Sequence, residues 1–289
     1  MKITVFTPTY NRAAMLSRVF YSLVKQTCHE FEWLIIDDGS SDTTETIVKD
    51  FQKSSKFPIR YYYKANGGKH TAYNMALEYA QGRLIVCLDS DDMMTENAVE
   101  LLCAVMERKL DVDGVVAYKA TFDNQLLGAH LPRGVDVLQI PDLGMRYHCT
   151  GEYVFAYSVS IAREYPFPVF QGERFSPEGV MLDMVGQACH VAVLPQILMR
   201  CEYQNDGYSA QVHKLIRDNP CAYTQCFMQR IDLSLSLKDR ILNAGRYHCY
   251  RLFAKGKGRK YAGKHKKLTA CCIPLGCFLY LYYKIMHGF

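Results

Sequence analysis

The sequence predicts an α/β fold: a mostly parallel sheet with helices flanking both of its faces. Two observations carry this. Short apolar runs alternate with helix-period segments through the first half of the chain, the order expected when crossover helices join parallel strands. Polar clusters then follow the ends of apolar runs: Thr7-Pro8-Thr9-Tyr10-Asn11-Arg12, Asp37-Asp38-Gly39-Ser40-Ser41-Asp42 and Asp89-Ser90-Asp91-Asp92. Open α/β sheets bind ligands outside the carboxyl ends of their strands, so these clusters mark the candidate site.

Strands are expected at 3–7, 33–36, 59–63, 84–88 and 112–117, with helices at 13–25, 43–53, 71–80 and 96–109 between them. In the last helix Ala98, Val99, Leu101, Leu102, Val105 and Met106 form one apolar stripe, and Thr95 is placed to cap it. From 119 to 219 the pattern loosens into Pro-, Gly- and aromatic-rich stretches with brief strand-like pieces, as expected of a substrate-binding region. Beyond Pro220 the chain turns helical, then basic, then apolar.

At 289 residues, 49% of them hydrophobic and 22% charged, the chain can bury a full core and is globular, not disordered. The net charge of +5 is concentrated late. Between Leu237 and Leu268 basic residues recur, from Lys238 and Arg240 to Lys264, Lys266 and Lys267, against the single acid Asp239. Twelve cysteines include no Cys-x-x-Cys and are scattered through apolar stretches, as Cys87 and Cys103 are. Reduced, buried thiols explain them better than disulfides or zinc. The start, Met1 to Thr7, reads as a first strand and lacks the apolar core of a signal peptide, so a cytoplasmic protein is expected.

Three carboxylates at one strand end, Asp89, Asp91 and Asp92, repel one another unless a cation lies between them. Mg2+ and Mn2+ suit carboxylate oxygens and bridge to phosphates. The plainer reading is that these acids favour the N-terminus of the helix starting near Thr95. Asp37 and Asp38 bring a second acidic pair to the same edge, where they can accept hydrogen bonds from ribose hydroxyls or a base N–H. Gly39, Ser40 and Ser41 read as an Asx-type turn into the next helix.

Together, Thr-Pro-Thr-Tyr-Asn-Arg at 7–12, Trp-Leu-Ile-Ile-Asp-Asp-Gly-Ser-Ser-Asp at 33–42, Asn-Gly-Gly-Lys at 66–69 and Leu-Asp-Ser-Asp-Asp at 88–92 resemble glycosyltransferase family 2 in order and spacing. A weaker likeness to bacterial cell-surface polysaccharide enzymes continues through Gly172-Glu173-Arg174-Phe175-Ser176-Pro177-Glu178, Glu202-Tyr203 and Asp206-Gly207-Tyr208-Ser209. The resemblance implies a Rossmann-like sheet of the GT-A type. It further implies a donor-binding half at 1–118, an acceptor-binding half with the catalytic base at 119–219, and a helical C-terminal segment at 220–289.

By the same resemblance Thr7, Pro8, Thr9, Tyr10 and Asp38 hold the nucleobase, and Ser90 lies beside the donor. Lys69 stands where the family often has a basic residue near the nucleotide, though a lysine at a Gly-flanked helix start is equally plain solvated surface. Asp89 would contact the ribose or a metal-bound water, and Asp91 would bind Mn2+ or Mg2+ directly. Asp92 is either a ligand or a helix-start residue. A bound cation stabilises the charge that develops on a departing nucleoside diphosphate.

The acceptor hydroxyl needs a general base. The family supplies it from a Glu-Asp pair in the second half, and Pro177-Glu178-Gly179 stands there instead. Glu178 is the expected base, with Glu173 and Asp183 as alternatives; a favourable first-turn acid is its plain reading. His213 is a further candidate to close on the phosphates and metal, against an ordinary exposed histidine. The Gln-x-x-Arg-Trp signature of processive polymerases is absent, Trp33 being the only tryptophan. The implied reaction therefore moves one sugar, with inversion, from a UDP-linked donor to a lipid-linked or surface-glycan acceptor. A membrane-associated scaffold that binds nucleotide sugar without catalysis is the alternative, kept open by the broken Glu-Asp pair. A sugar nucleotidyltransferase would need a glycine-rich phosphate loop after the first strand, and Pro8-Thr9-Tyr10-Asn11 is not one.

Residues 270–283 form an apolar run of 14 residues containing Pro274 and Gly276, where a membrane span needs about 20. With Tyr280, Tyr282, Tyr283 and Lys284 at one end and the basic stretch at the other, the run reads as interfacial or re-entrant at an anionic membrane. A helix packed on the catalytic domain is the alternative. No nucleic-acid motif accompanies the basic residues. The expected location is cytoplasmic, peripheral or monotopic at the inner face of the cell membrane.

Overall fold

The computed structural model describes residues 1–108, 111–202 and 212–287. Of the stretches singled out above, Lys109 and residues 203–211 lie outside these. The chain forms two compact units, Met1–Pro166 with Val185–Tyr203, and Phe167–Met184 with Gln204–Phe289.

The first unit begins β1 (Ile3–Thr9), α1 (Ala13–Val24), β2 (Phe31–Asp37), α2 (Thr44–Ser54), β3 (Ile59–Tyr63), α3 (Lys69–Tyr79) and β4 (Leu84–Cys87). It continues through β5 (Met93–Met94), α4 (Ala98–Glu107), β6 (Gly114–Thr121), β7 (Val137–Gln139), α5 (Ile140–Met145), β8 (Tyr153–Ser158) and α6 (Val159–Ala162). After α7 (Gly179–Ala188), which belongs partly to each unit, β9 (His190–Cys201) completes it. Among the described residues nine strands form one sheet in the order β3-β2-β1-β4-β8-β6-β9-β5, with β7 also on β9.

The first four strands in that order are parallel, as expected. Every residue of β1 and β2 is buried, so apolar side chains occupy both faces without strict alternation, and the buried Glu32 among them accepts from Thr4. Phe20 of α1 stacks on Phe51 of α2 at 4.3 Å and lies 6.2 Å from Trp33 of β2. On the other face Phe6 of β1 meets Tyr73 of α3 edge-on at 5.1 Å.

Beyond β4 the expectation of a mostly parallel sheet fails, and the sheet is mixed. β8 runs antiparallel to both β4 and β6, and β9 is parallel to β6 but antiparallel to β5 and β7. Between β6 and β8 the chain passes through β7 and the short α5, and an antiparallel pairing needs no crossover helix. β6 continues through residue 118, with its register against β9 shifting on both sides of Tyr118, so strands from 119–219 complete the sheet begun by 1–118.

Thr95 does not cap α4. Its hydroxyl donates to the carbonyls of Ile197 and Leu198 on β9, and Asn97 precedes the helix without a side-chain cap. Strand β9 takes the hydroxyl that a local reading assigns to the helix.

The second unit is helical: α8 (Val212–Asp218), α9 (Pro220–Leu233), α10 (Leu237–Phe253), α11 (Lys266–Cys271) and α12 (Ile273–His287). Ile231, Ala244, Tyr247 and Cys272 form its small core. The apolar run folds as the end of α11 and most of α12, with Pro274 tolerated in the first turn. Where a Cβ on Gly276 would sit 2.3 Å from the Cβ of His248, α12 lies tight against α10. Among the described residues no helix is long and apolar enough to cross a membrane.

Candidate active site

The carboxyl ends of β1, β2 and β4 meet at one edge, and each expected turn forms there for a local reason. Asp37 Oδ1 accepts from the Ser40 N–H at 2.7 Å, closing the Asx turn, while Asp37 Oδ2 accepts from Tyr61 Oη at 2.6 Å. Gly39 has φ +94°, and a Cβ there would come within 2.8 Å of the Asn66 nitrogen, so this turn requires glycine. Asn11, also left-handed at φ 51°, accepts from the Ser41 N–H at 2.7 Å. The β1 turn and the β2 turn are thus stitched together.

Asp38 is 4% exposed. Its Oδ1 accepts from Lys64 Nζ at 2.5 Å and the Gly67 N–H at 3.0 Å, and its Oδ2 accepts from the Gly68 N–H at 2.7 Å. Its backbone carbonyl also accepts from Asn66 Nδ2 at 2.9 Å. The carboxylate therefore folds the Asn-Gly-Gly loop, whose Gly68, at φ +93°, delivers Lys69 to the start of α3. Lys69 is not plain solvated surface: its Nζ lies 2.7 Å from Asp89 Oδ1 and 2.9 Å from Oδ2.

The three acids after β4 are each matched by a cation. Asp89 faces Lys69; Asp91 accepts from Arg12 Nη1 at 2.8 Å; Asp92 lies 2.7 Å from Lys119 Nζ, which also reaches Glu152 at 3.3 Å. Burial pushes the Asp89 carboxyl up, but Lys69, Lys119 and Arg12 together hold it below the usual carboxylate range. For Asp92 burial wins, and with Asp89 and Asp91 close by, its carboxyl is pushed up to about 7 against the pull of Lys119. Burial opposes the charge on Lys119, yet Asp92 and Asp89 raise its pKa well above the usual lysine range. Asp92 is buried and paired, whereas Asp89 and Asp91 keep 34% and 20% of their side-chain surface open.

Of the remaining donor-side residues, Thr7 is wholly buried and accepts the Trp33 indole N–H at 2.9 Å. Pro8 is buried with it, and Thr9 Oγ1 is buried with no hydrogen-bond partner among the described residues. Tyr10 is half exposed, and Ser90 is buried 3.5 Å from Arg12 Nη1.

Mn2+ or Mg2+ is implied by the family resemblance, and the residues can be tested against it. Among the described residues no three His, Cys, Asp or Glu side chains converge to hold an ion unaided. Such ions are held by one or two carboxylates while substrate phosphates and water fill the other positions. Asp91 and Asp89, with hard oxygens and open surface, suit an ion that arrives with a diphosphate.

The second unit separates the three candidate bases. Glu173 uses both oxygens on the first turn of α9, accepting from the N–H groups of Cys221 at 2.7 Å and Ala222 at 2.9 Å. Asp183 is 8% exposed and lies 3.1 Å from Arg230 Nε; burial raises its carboxyl against the pull of that guanidinium. Glu178 is exposed immediately before α7, its carbonyl accepting from the N–H groups of Met181 and Leu182. His213 is exposed on α8.

The sequence singles out Lys69 among the cations, but not Arg12, Lys64 or Lys119. Arg12 lay inside a quoted motif, and Lys119 interrupts a buried apolar run, a position that demands a partner. Lys64 and Glu152 carried no comparable signal.

An uncharacterized glycosyltransferase of Mycoplasma pneumoniae is 41% identical over 121 residues, covering 40% of this chain and 40% of that protein, so the chain matches less than half the length of that relative. Among solved structures, S. aureus TarS 1-349 in complex with UDP-GlcNAc is similar with a TM-score of 0.61 at 16% identity, covering 100% of this chain and 92% of that one. A mannosyltransferase of Pyrobaculum calidifontis, in complex with GDP-Man and Mn2+, is similar with a TM-score of 0.57 at 18% identity, covering 97% and 81%. These two likenesses show the fold, a mixed α/β architecture of the GT-A kind. The family model described as Glycosyl transferase family 2 matches residues 4–164, from inside β1 to just past α6 and through every acid-bearing strand end; the chain belongs to glycosyltransferase family 2.

Proposed function

We propose that the protein transfers one sugar from a UDP-linked donor to a hydroxyl of a surface-glycan or lipid-linked acceptor, with inversion at the anomeric carbon. The observation that supports this best is the strand-end cluster in which Asp89, Asp91 and Asp92 each face their own cation. Lys69 and Arg12, both partly exposed, can turn from carboxylate to phosphate when a diphosphate arrives. Mn2+ or Mg2+, held by Asp91 with Asp89 beside it, would neutralise charge growing on the leaving diphosphate.

Glu178 takes the proton of the acceptor hydroxyl as its oxygen bonds to the anomeric carbon from the face opposite the diphosphate. The carbon–oxygen bond to the diphosphate breaks, and UDP leaves with that electron pair. Glu178 is favoured because it is exposed immediately before α7 and stands where the family's Glu-Asp pair would be. UDP is favoured by likeness to a structure holding UDP-GlcNAc; a GDP-sugar is the comparison to include, given the Pyrobaculum complex. Residues 1–118 would carry the donor site, 119–219 the acceptor and base, and 220–289 a peripheral attachment at the inner face of the cell membrane.

Thermal stabilisation by a panel of UDP- and GDP-sugars, with and without Mn2+, tests donor choice, since a ligand bound to the native state raises its apparent stability. Stabilisation by GDP-sugars alone would overturn the UDP assignment. Pro177-Glu178-Gly179 in place of the family's Glu-Asp pair also supports a second reading, a binding scaffold without turnover. Donor binding with no sugar transfer or donor hydrolysis by the purified protein would favour the scaffold.

A further inference from the structure

We infer that α12 lies flat in the surface of an anionic lipid bilayer, inserting one face while the other stays on α10. The proposal rests on the transferase reading for the acceptor's location and on the geometry of the helical unit for the contact itself.

The inner face of α12 is settled by its neighbours. Gly276 approaches His248, Leu275 lies against Gly245, Tyr280 meets Phe253 at 4.5 Å and Tyr283 meets Tyr250 at 6.2 Å. This corrects the choice posed by the sequence between a packed helix and an interfacial one, because only half of α12 is packed. On its outer face Phe278, Leu281 and Ile285 are 65%, 57% and 79% exposed, with Ile273 and Met286 at 48% and 60% on its margins. Steps of three and four residues place Phe278, Leu281 and Ile285 on one stripe. Water gains nothing from such a stripe, and large exposed apolar patches mark interaction surfaces.

Charge selects the occupant. Lys255, Lys257, Arg259, Lys260, Lys264 and Lys267, all in the same unit, are exposed and form no ion pair among the described residues. A second copy docked through this unit would pair two surfaces of the same basic sign, which repel. Anionic headgroups neutralise them instead, while acyl chains take the stripe. At fifteen residues α12 can lie in the interface but not cross it.

Flotation of the full-length protein with vesicles tests this, comparing phosphatidylglycerol–phosphatidylcholine mixtures with phosphatidylcholine alone. The wild type should float with the anionic vesicles. Phe278→Ser/Leu281→Ser/Ile285→Ser should lose partitioning by about tenfold or more, since removing buried apolar surface removes the insertion term. Lys260→Glu/Lys264→Glu/Lys267→Glu should lose the preference for anionic lipid. All these side chains are exposed, so an unchanged circular-dichroism melt confirms that both variants fold.

Absence of wild-type flotation, or equal flotation of the serine variant, overturns the proposal. So does light scattering that shows a wild-type dimer becoming monomeric in the serine variant, because a second copy then covers the face. UDP binding, measured calorimetrically on the same preparations, separates the two failures. Binding without flotation sinks only the lipid contact, and flotation without any nucleotide binding sinks only the transferase reading.

Discussion

Asp38→Asn changes one oxygen to an amide nitrogen, and the site leaves that group no harmless orientation. The carboxylate accepts from Lys64 Nζ and the Gly67 N–H on one oxygen and from the Gly68 N–H on the other, at 4% exposure. An asparagine has one acceptor oxygen. With its oxygen toward Lys64, its N–H faces the Gly68 N–H; flipped, it faces Lys64 and Gly67. Either way a buried donor loses its partner, costing about 1–3 kcal/mol. The contact with Lys64 also weakens from an ion pair to a cation–amide hydrogen bond, adding about 1 kcal/mol. At about 2–4 °C per kcal/mol for a unit of this size, the melt should fall by roughly 5–15 °C. Trp33, the single tryptophan and fully buried in β2, reports unfolding of the sheet-bearing unit by fluorescence. UDP affinity should fall as well, because the loosened loop carries Lys69. A melting point within about 2 °C of the wild type would refute the reasoning, since by this count the weakest outcome exceeds it.

Glu32→Gln should cost about 1–3 kcal/mol in urea unfolding and leave UDP binding intact. The buried carboxylate holds Thr4, Gln81 and Arg60 at 2.7, 2.7 and 3.0 Å, away from the acid cluster, and a loss of UDP affinity in the folded variant would contradict that separation. Asp91→Ala should abolish the Mn2+ dependence of UDP binding with the melt nearly unchanged; calorimetry showing the same Mn2+ enhancement would move the metal elsewhere. Glu178→Gln should keep donor affinity and lower turnover by roughly 100-fold or more, and near-normal turnover would return the base to Glu173 or Asp183. Asp42 should make stability depend on acid. Burial pushes its carboxyl up, but Thr44 and the Ala13 N–H hold it below 3.8. A depressed folded pKa contributes stability that is present above the unfolded value and lost as pH falls through the folded one. Asp42→Asn should thus cost a few tenths of a kcal/mol at pH 7, kept small because Asp42 is exposed, and nothing near pH 2; equal costs at both pH values would show that charge plays no part.

Strands β1 to β4 were legible because each is an apolar run closed by polar residues, a signal contained within a few positions. β9 was not: its burial alternates irregularly, Pro195 and Gln196 interrupt it, and Arg200 reaches out to Asn124 at 2.7 Å. β5, two residues long, offers no period at all. At the site the acids and Lys69 were legible as candidates, but the pairing of each acid with its cation was not. Asp89, Asp91 and Asp92 are neighbours in sequence, whereas Lys69, Arg12 and Lys119 arrive from three other elements. Locally, Glu173, Glu178 and Asp183 looked alike. The contacts of Glu173 and Asp183 with α9 are made some fifty positions further along, beyond the reach of a local reading.

The placement of β6 carries a consequence for synthesis. Both strands that flank it, β8 and β9, are made after it, and β9 ends roughly eighty residues later, on the order of 4–16 s at ordinary translation rates. Until then the nascent sheet presents Val115, Val116 and Ala117 on a strand whose hydrogen-bonding groups lack their native neighbours. A ribosome stalled before His190 therefore holds a chain with most of its donor-side acids in place and a sticky open edge. Premature termination in that window should yield aggregates and not a smaller working domain, and a chaperone that shields edges should matter most there.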